Sequence, residues 1–197
     1  MIIFSPYYWD AALVNYIHVI FLSLIIFSAI LTLRQSGIKL KVIQKVGYLL
    51  IVITLTTAIT DNSYVELVNR ILFVLFFMLV AINLLIGIVR SKEVDAEVLF
   101  SAVAVYMLYG FCGAIITAVI VFIQPTAFSI GSSDLSLFHQ CLYFSYITIT
   151  TTGYGDILPL KPIAKTLAIF LTLFGQLYLT VIIGMLIGKY LAGRGKS

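Results

Sequence analysis

The sequence predicts an all-α integral membrane protein with five transmembrane helices and, ahead of the last, a short re-entrant helix followed by extended backbone. Three observations carry this. Of 197 residues, 62% are hydrophobic and 10% charged, with a mean hydropathy of +1.15; a soluble domain of that composition would lack the polar surface to stay in solution. Five apolar stretches, 11–33, 42–60, 68–89, 98–124 and 162–188, approach or exceed the ~20 residues that cross a bilayer. Between the last two lies an apolar, aromatic stretch, 134–156, broken by glycines near its end. No linker, low-complexity tract or internal repeat interrupts the chain.

The second stretch is the shortest of the five, and its charge-free part, 46–60, has the size of an interfacial or half-length helix. Charge argues that it spans. With five spans and an inside C-terminus, the inner segments carry Arg34, Lys39, Lys41, Lys45, Arg90, Lys92, Lys189, Arg194 and Lys196. The outside keeps only Arg70, Lys161 and Lys165, as the positive-inside rule asks. Were 42–60 held on one side, Arg34 through Lys45 would move outside and the bias would collapse. Lys45 can snorkel from its helix end. The N-terminus is then outside, where Tyr7, Tyr8 and Trp9 suit an interfacial aromatic belt. The opening MIIFSPYYWD lacks a basic region and the apolar stretch after it is too long for a signal core, so no cleavage is expected.

The net charge of +4 therefore reports topology: the partner it implies is the lipid bilayer, and no nucleic acid is expected. Cys112 and Cys141 both lie in apolar surroundings and read as small packing residues, not as a disulfide or metal pair.

Residues 148–156, TITTTGYGD, put crowding threonines and destabilising glycines between two spans. The preceding 134–149 is the length of a short helix, too short to cross. Irregular backbone at membrane depth is tolerated only where it is buried in protein or lines a water-filled cavity. The segment is thus a re-entrant loop whose exposed carbonyls need a partner, and a desolvated cation is the natural one.

The run Tyr143-Phe144-Ser145-x-x-Thr148-x-Thr150-Thr151-Thr152-Gly153-Tyr154-Gly155-Asp156 resembles the pore helix and selectivity filter of potassium channels. The resemblance covers about 98–190, as outer helix 98–124, pore helix 134–149, filter 151–155 and inner helix 162–190. A three-helix region, 1–97, precedes it and resembles no named family, and a short cytoplasmic tail, 191–197, follows. The resemblance implies that K+ is coordinated by the backbone carbonyls of Thr151, Thr152, Gly153 and Tyr154 and by the Thr151 hydroxyl. It implies that Gly153 and Gly155 supply left-handed backbone, that Tyr154 packs against pore-helix aromatics, and that Tyr143, Phe144, Thr148 and Asp156 help shape the filter. Since a carbonyl cage needs four chains with one filter each, it implies a homotetramer in the cell membrane. No organic cofactor and no ligand-binding domain are expected. The chain departs from the family where Thr152 replaces the usual Val or Ile, where Ile147 replaces a Glu found behind some filters, and where Tyr143 and Phe144 replace a tryptophan pair.

Every motif has a plainer reading beside it. Gly175 stands 22 residues after Gly153, where the resemblance implies a hinge glycine; the alternative is tight helix packing. Gly184 and Gly188 read first as a site of close helix approach and second as part of a gate. Asn15, His18 and Asn83 lie inside spans and read as interhelical hydrogen-bonding groups. Asp134 reads as the pore-helix N-cap. A nonselective cation channel of the same fold is the rival reading, against which the intact GYG argues. The sequence from Gly153 to Asp156 also fits the Gly-x-Gly-Asp of intramembrane aspartyl proteases, but those need a second aspartate on a facing helix and no span supplies one. The third span holds arginine only at its ends, Arg70 and Arg90, so opening is expected to depend little on voltage.

Overall fold

A computed structural model of the chain describes residues 41–57, 63–91, 93–131 and 136–194. Helices α1 (Lys41–Thr57), α2 (Ser63–Arg90) and α3 (Ala96–Ile123) are followed by a 3-10 turn at Pro125–Ala127, the short α4 (Leu137–Ile149) and the long α5 (Pro162–Arg194). Among the described residues there is no strand, and one antiparallel bridge joins Phe128 to Pro159. The expected span 11–33, with Asn15 and His18, lies outside the described residues, as do Tyr7, Tyr8, Trp9 and Asp134.

Among the described residues, three helices are long and apolar enough to cross a membrane: Tyr64–Arg90, Ala96–Ile123 and Pro162–Ala192. The expected span at 42–60 is a helix of 17 residues, about 25 Å of rise, and its apolar part is shorter still, Lys45–Thr54. α5 runs to Arg194 over 33 residues, about 50 Å, so the helix continues into what the sequence assigned to a tail.

The boundaries follow local chemistry. Asp95 caps α3, its Oδ1 accepting from the Val98 amide at 2.9 Å. α3 stops where Gln124 closes the last turn onto Ile120 O and Pro125 cannot extend it. Ser136, not Asp134, caps α4, its Oγ accepting from the His139 amide and lying 2.6 Å from His139 Nδ1. Pro162 occupies the first position of α5, where its missing N–H is no loss.

The core has three parts. Leu50, Phe73, Phe76, Phe77, Cys112 and Ile115 join α1, α2 and α3. Here Phe77 meets Phe111 edge-on at 5.5 Å. Ala81, Ile88, Ala102, Val105, Ile182 and Leu186 tie α2 and α3 to α5. Ala118, Phe128, Cys141, Phe144, Ala164 and Leu171 enclose α4 between α3 and α5. Cys112 and Cys141 are buried and unpaired, as packing residues should be. Asn83 corrects the sequence reading: its amide donates to Leu79 O at 2.8 Å within its own helix, not to a neighbour. A polar contact between α1 and α2 is made instead by Thr54 Oγ1 and Asn69 Oδ1, 3.3 Å apart.

Candidate functional site: the re-entrant segment

α4 is 13 residues long, about 20 Å, and cannot cross a hydrocarbon core of ~30 Å. It is seated instead on α3. Gly110 and Gly113 allow the close approach: a β-carbon on Gly110 would lie 2.5 Å from the Tyr146 ring, and one on Gly113 would lie 2.6 Å from Leu171 on α5. In the space left open, the buried Ser145 Oγ donates to Gly110 O at 2.6 Å. Tyr146 donates to Met107 O at 2.8 Å and Tyr106 to Ile149 O at 3.2 Å. α5 is tied to α3 in the same way, by Tyr109 to Phe170 O at 2.8 Å and Tyr178 to Ala102 O at 2.6 Å.

The threonines finish α4. A helix C-terminus leaves its last carbonyls without amide partners. Thr150 Oγ1 donates to Tyr146 O at 2.7 Å, Gly153 N to Ile147 O at 3.1 Å and Thr151 N to Thr148 O at 3.0 Å. Thr148 Oγ1 turns back onto Phe144 O at 2.7 Å. Thr150 and Thr152 hydroxyls lie 2.9 Å apart.

Beyond α4 the backbone takes an unusual form. Positive φ occurs at Thr151 (59°), Gly153 (55°) and Gly155 (79°), and not at Thr152 or Tyr154 between them. In a strand, carbonyls alternate from side to side. Here the sign of φ alternates along the segment instead. The two glycines adopt this without strain. A β-branched residue there is an outlier, of order 1–3 kcal/mol, and Thr151 is held by links on both sides: its hydroxyl donates to Thr150 O at 2.6 Å and accepts from Gln176 Nε2 at 3.2 Å. Residues 151–156 are exposed in the single chain.

The far end is held too. Ser129 N donates to Leu158 O at 2.9 Å, Leu158 N to Ser129 Oγ at 2.7 Å and Leu160 N to Ala127 O at 2.8 Å. Asp156 accepts from the Tyr143 hydroxyl, which, ahead of backbone amides at 156 and 157, holds its carboxyl below the usual range.

The structure thus brings Tyr143, Asp156, Thr148 and the 151–155 backbone together, and it leaves other expected residues apart. Phe144 is buried against Phe128, rings 5.0 Å apart and edge-on, on the side of α4 toward α3 and α5. Tyr154 is 72% exposed, so its expected packing is not made within one chain. Gly175 packs against Ile149. A β-carbon at Gly184 or Gly188 would meet nothing within 4 Å, so the close helix approach read from that pair is not made inside the protomer. Sequence reasoning missed Gln176 and the tyrosines at 106, 109, 146 and 178; their signal was hydroxyls and an amide inside spans where each needs a partner.

Two apolar helices enclose a short helix, and after it comes a stretch of backbone whose φ alternates in sign. Residues 96–191 match the family of ion channels. A voltage-gated potassium channel of Aeropyrum pernix is 37% identical over 86 residues, which are 44% of this chain and 26% of that relative. The match therefore spans about a quarter of the relative's length. No solved structure matches the chain significantly. Through this segment the chain is similar to potassium channels, and its apolar helices make it a membrane protein.

Proposed function

We propose that four copies of the chain assemble around one axis in the cell membrane and conduct K+ passively through a filter built from residues 151–155. The alternation of φ at Thr151, Gly153 and Gly155 is the observation that carries this reading. Carbonyls of Thr151, Thr152, Gly153 and Tyr154 replace the ion's hydration shell, as such rings do in selective filters. One chain supplies one wall, which accounts for the exposure of 151–156 and of Phe170, Phe174, Leu177 and Val181 on α5. The partially negative C-terminus of α4 points cation-attracting potential toward the inner end of the filter.

In this reading all five expected helices span, with the N-terminus outside and the C-terminus in the cytoplasm, and Asp156 sits at the outer mouth, where its carboxylate gathers cations. Reconstitution into liposomes tests the proposal. Under opposed K+ and Na+ gradients, the reversal potential should follow K+, and mass measurement in detergent should give a tetramer. A reversal potential near zero would favour the nonselective alternative, and a stable monomer or dimer would refute the assembly.

A further inference from the structure

Resting on that reading, we infer that Gln176 is a positioning residue for the innermost cation site. Gly175 sets α5 directly against Ile149 at the end of α4, so the next side chain along α5 reaches the first residue of the filter. Gln176 Nε2 donates to Thr151 Oγ1 at 3.2 Å, and the same hydroxyl gives its proton to Thr150 O at 2.6 Å. A hydroxyl has one proton and two lone pairs. With the proton sent to Thr150 O and one lone pair taken by the amide, the remaining lone pair has a fixed direction. Thr151 also stands at φ 59°, a conformation that a threonine keeps only when its surroundings over-determine it. The amide is one of those surroundings. Around a four-fold axis, four such amides form a polar collar under the filter, on an inner helix where Leu173, Leu177 and Val181 nearby are exposed and apolar and Thr180, also exposed, donates its hydroxyl to Gln176 O.

Gln176 thus fixes the orientation of the Thr151 oxygen and with it the affinity of the innermost site, while discrimination between ions stays with the carbonyls. Gln176→Met keeps length and removes the donor. The concentration of internal K+ that gives half-maximal conductance should rise about fivefold, the worth of one hydrogen bond, with the K+/Na+ reversal potential unchanged. The effect should vanish in a Thr151→Val background, where no hydroxyl remains to orient, and persist in Thr151→Ser. Gln176→Glu is a second probe of nearly the same shape: an ionised carboxylate cannot donate, draws the Thr151 proton off Thr150 O, and should move the half-saturating concentration the opposite way. Thermal stability of each tetramer, read in parallel, distinguishes loss of fold from loss of orientation. Wild-type titration curves for both Gln176 variants, or additive effects of Gln176→Met and Thr151→Val, overturn this inference alone. A wild type that passes no K+-selective current overturns it together with the proposed function.

Discussion

Gly175 of α5 lies against Ile149 at the end of α4, so close that a β-carbon on it would fall 2.8 Å from Ile149 Cγ1 and nearer still to the Ile149 carbonyl oxygen. That carbonyl also accepts from Tyr106 on α3. One backbone group therefore joins all three helices, and it is the last residue before the filter's threonines. Gly175→Ala puts a methyl into backbone, which cannot rotate away. We expect a loss of about 1–3 kcal/mol, as for other overpacked sites, seen as a lower melting temperature of the purified protein. A hinge role predicts something else: an unchanged melting temperature with lower open probability in single-channel records. Tyr106→Phe should weaken the same junction by about 1 kcal/mol without any steric insult.

That junction marks where the sequence was legible and where it stopped. The helix expected at 98–124 lies within two residues of Ala96–Ile123, and the start at Pro162 was readable, because hydropathy and proline act locally; the left-handed glycines 153 and 155 came with the resemblance. The cap of α4 was placed two residues early: Asp134 and Ser136 are both good cap formers by type, and the Ser136 hydroxyl accepts from the His139 amide. The left-handed Thr151 was not foreseen, since local sterics argue against it and the links that hold it come from elsewhere in the fold, Gln176 among them. Asn83 and the pair Gly184 and Gly188 were read as contact points because small and polar residues in spans so often are. Which way a residue faces depends on how the helices pack, and no periodicity fixed that.

Lys189 supplies a second cross-helix link. Its Nζ donates to Ile88 O at 2.9 Å, Val89 O at 2.8 Å and Ser91 O at 2.7 Å, at the C-terminal end of α2. An ammonium suits unpaired carbonyls at the negative end of a helix. Lys189→Met should lower stability by about 1.5–3 kcal/mol, the range for hydrogen bonds to a charged group. Amide hydrogen exchange should rise in the 87–95 connection while α4 keeps its protection. Lys189→Arg, which retains charge and donors, should recover much of the loss. Equal exchange in the wild type and Lys189→Met would show that the cap contributes nothing.

The bond from Tyr143 to Asp156 makes a prediction in pH. Asp156 has its pKa lowered, first by the Tyr143 hydroxyl and then by backbone amides. A depressed carboxyl pKa means that the interaction is complete above the ordinary carboxyl value of ~3.9 and is lost as pH falls through the lowered one. Tyr143→Phe removes the leading cause. The carboxylate should then protonate at higher pH, so the acid limb of the current at the Asp156 face should shift upward. Titration of that face in reconstituted channels reads this directly. A midpoint that stays in place, or moves down, would show that the hydroxyl does not hold the carboxylate.

The last prediction separates backbone from side chain in the filter. Gly155 has φ +79°, and a β-carbon on it would meet nothing within 4 Å. Gly155→Ala is therefore a conformational change without a steric one, the reverse of Gly175→Ala. Left-handed backbone costs a non-glycine residue roughly 1–2 kcal/mol, enough to let φ relax and turn the Tyr154 carbonyl off its direction. If carbonyls choose the ion, K+/Na+ discrimination should weaken in Gly155→Ala although no contact has been disturbed. Thr152→Val keeps shape and carbonyl and removes only the hydroxyl that lies 2.9 Å from Thr150 Oγ1, so discrimination should persist. Tyr154→Ala addresses a side chain exposed within one chain; if neighbouring copies cover it, its loss should loosen the filter and weaken selectivity as well. Reversal potentials under opposed K+ and Na+ gradients read all three variants. Selective Gly155→Ala beside nonselective Thr152→Val would place the choice of ion in side chains and refute the carbonyl filter.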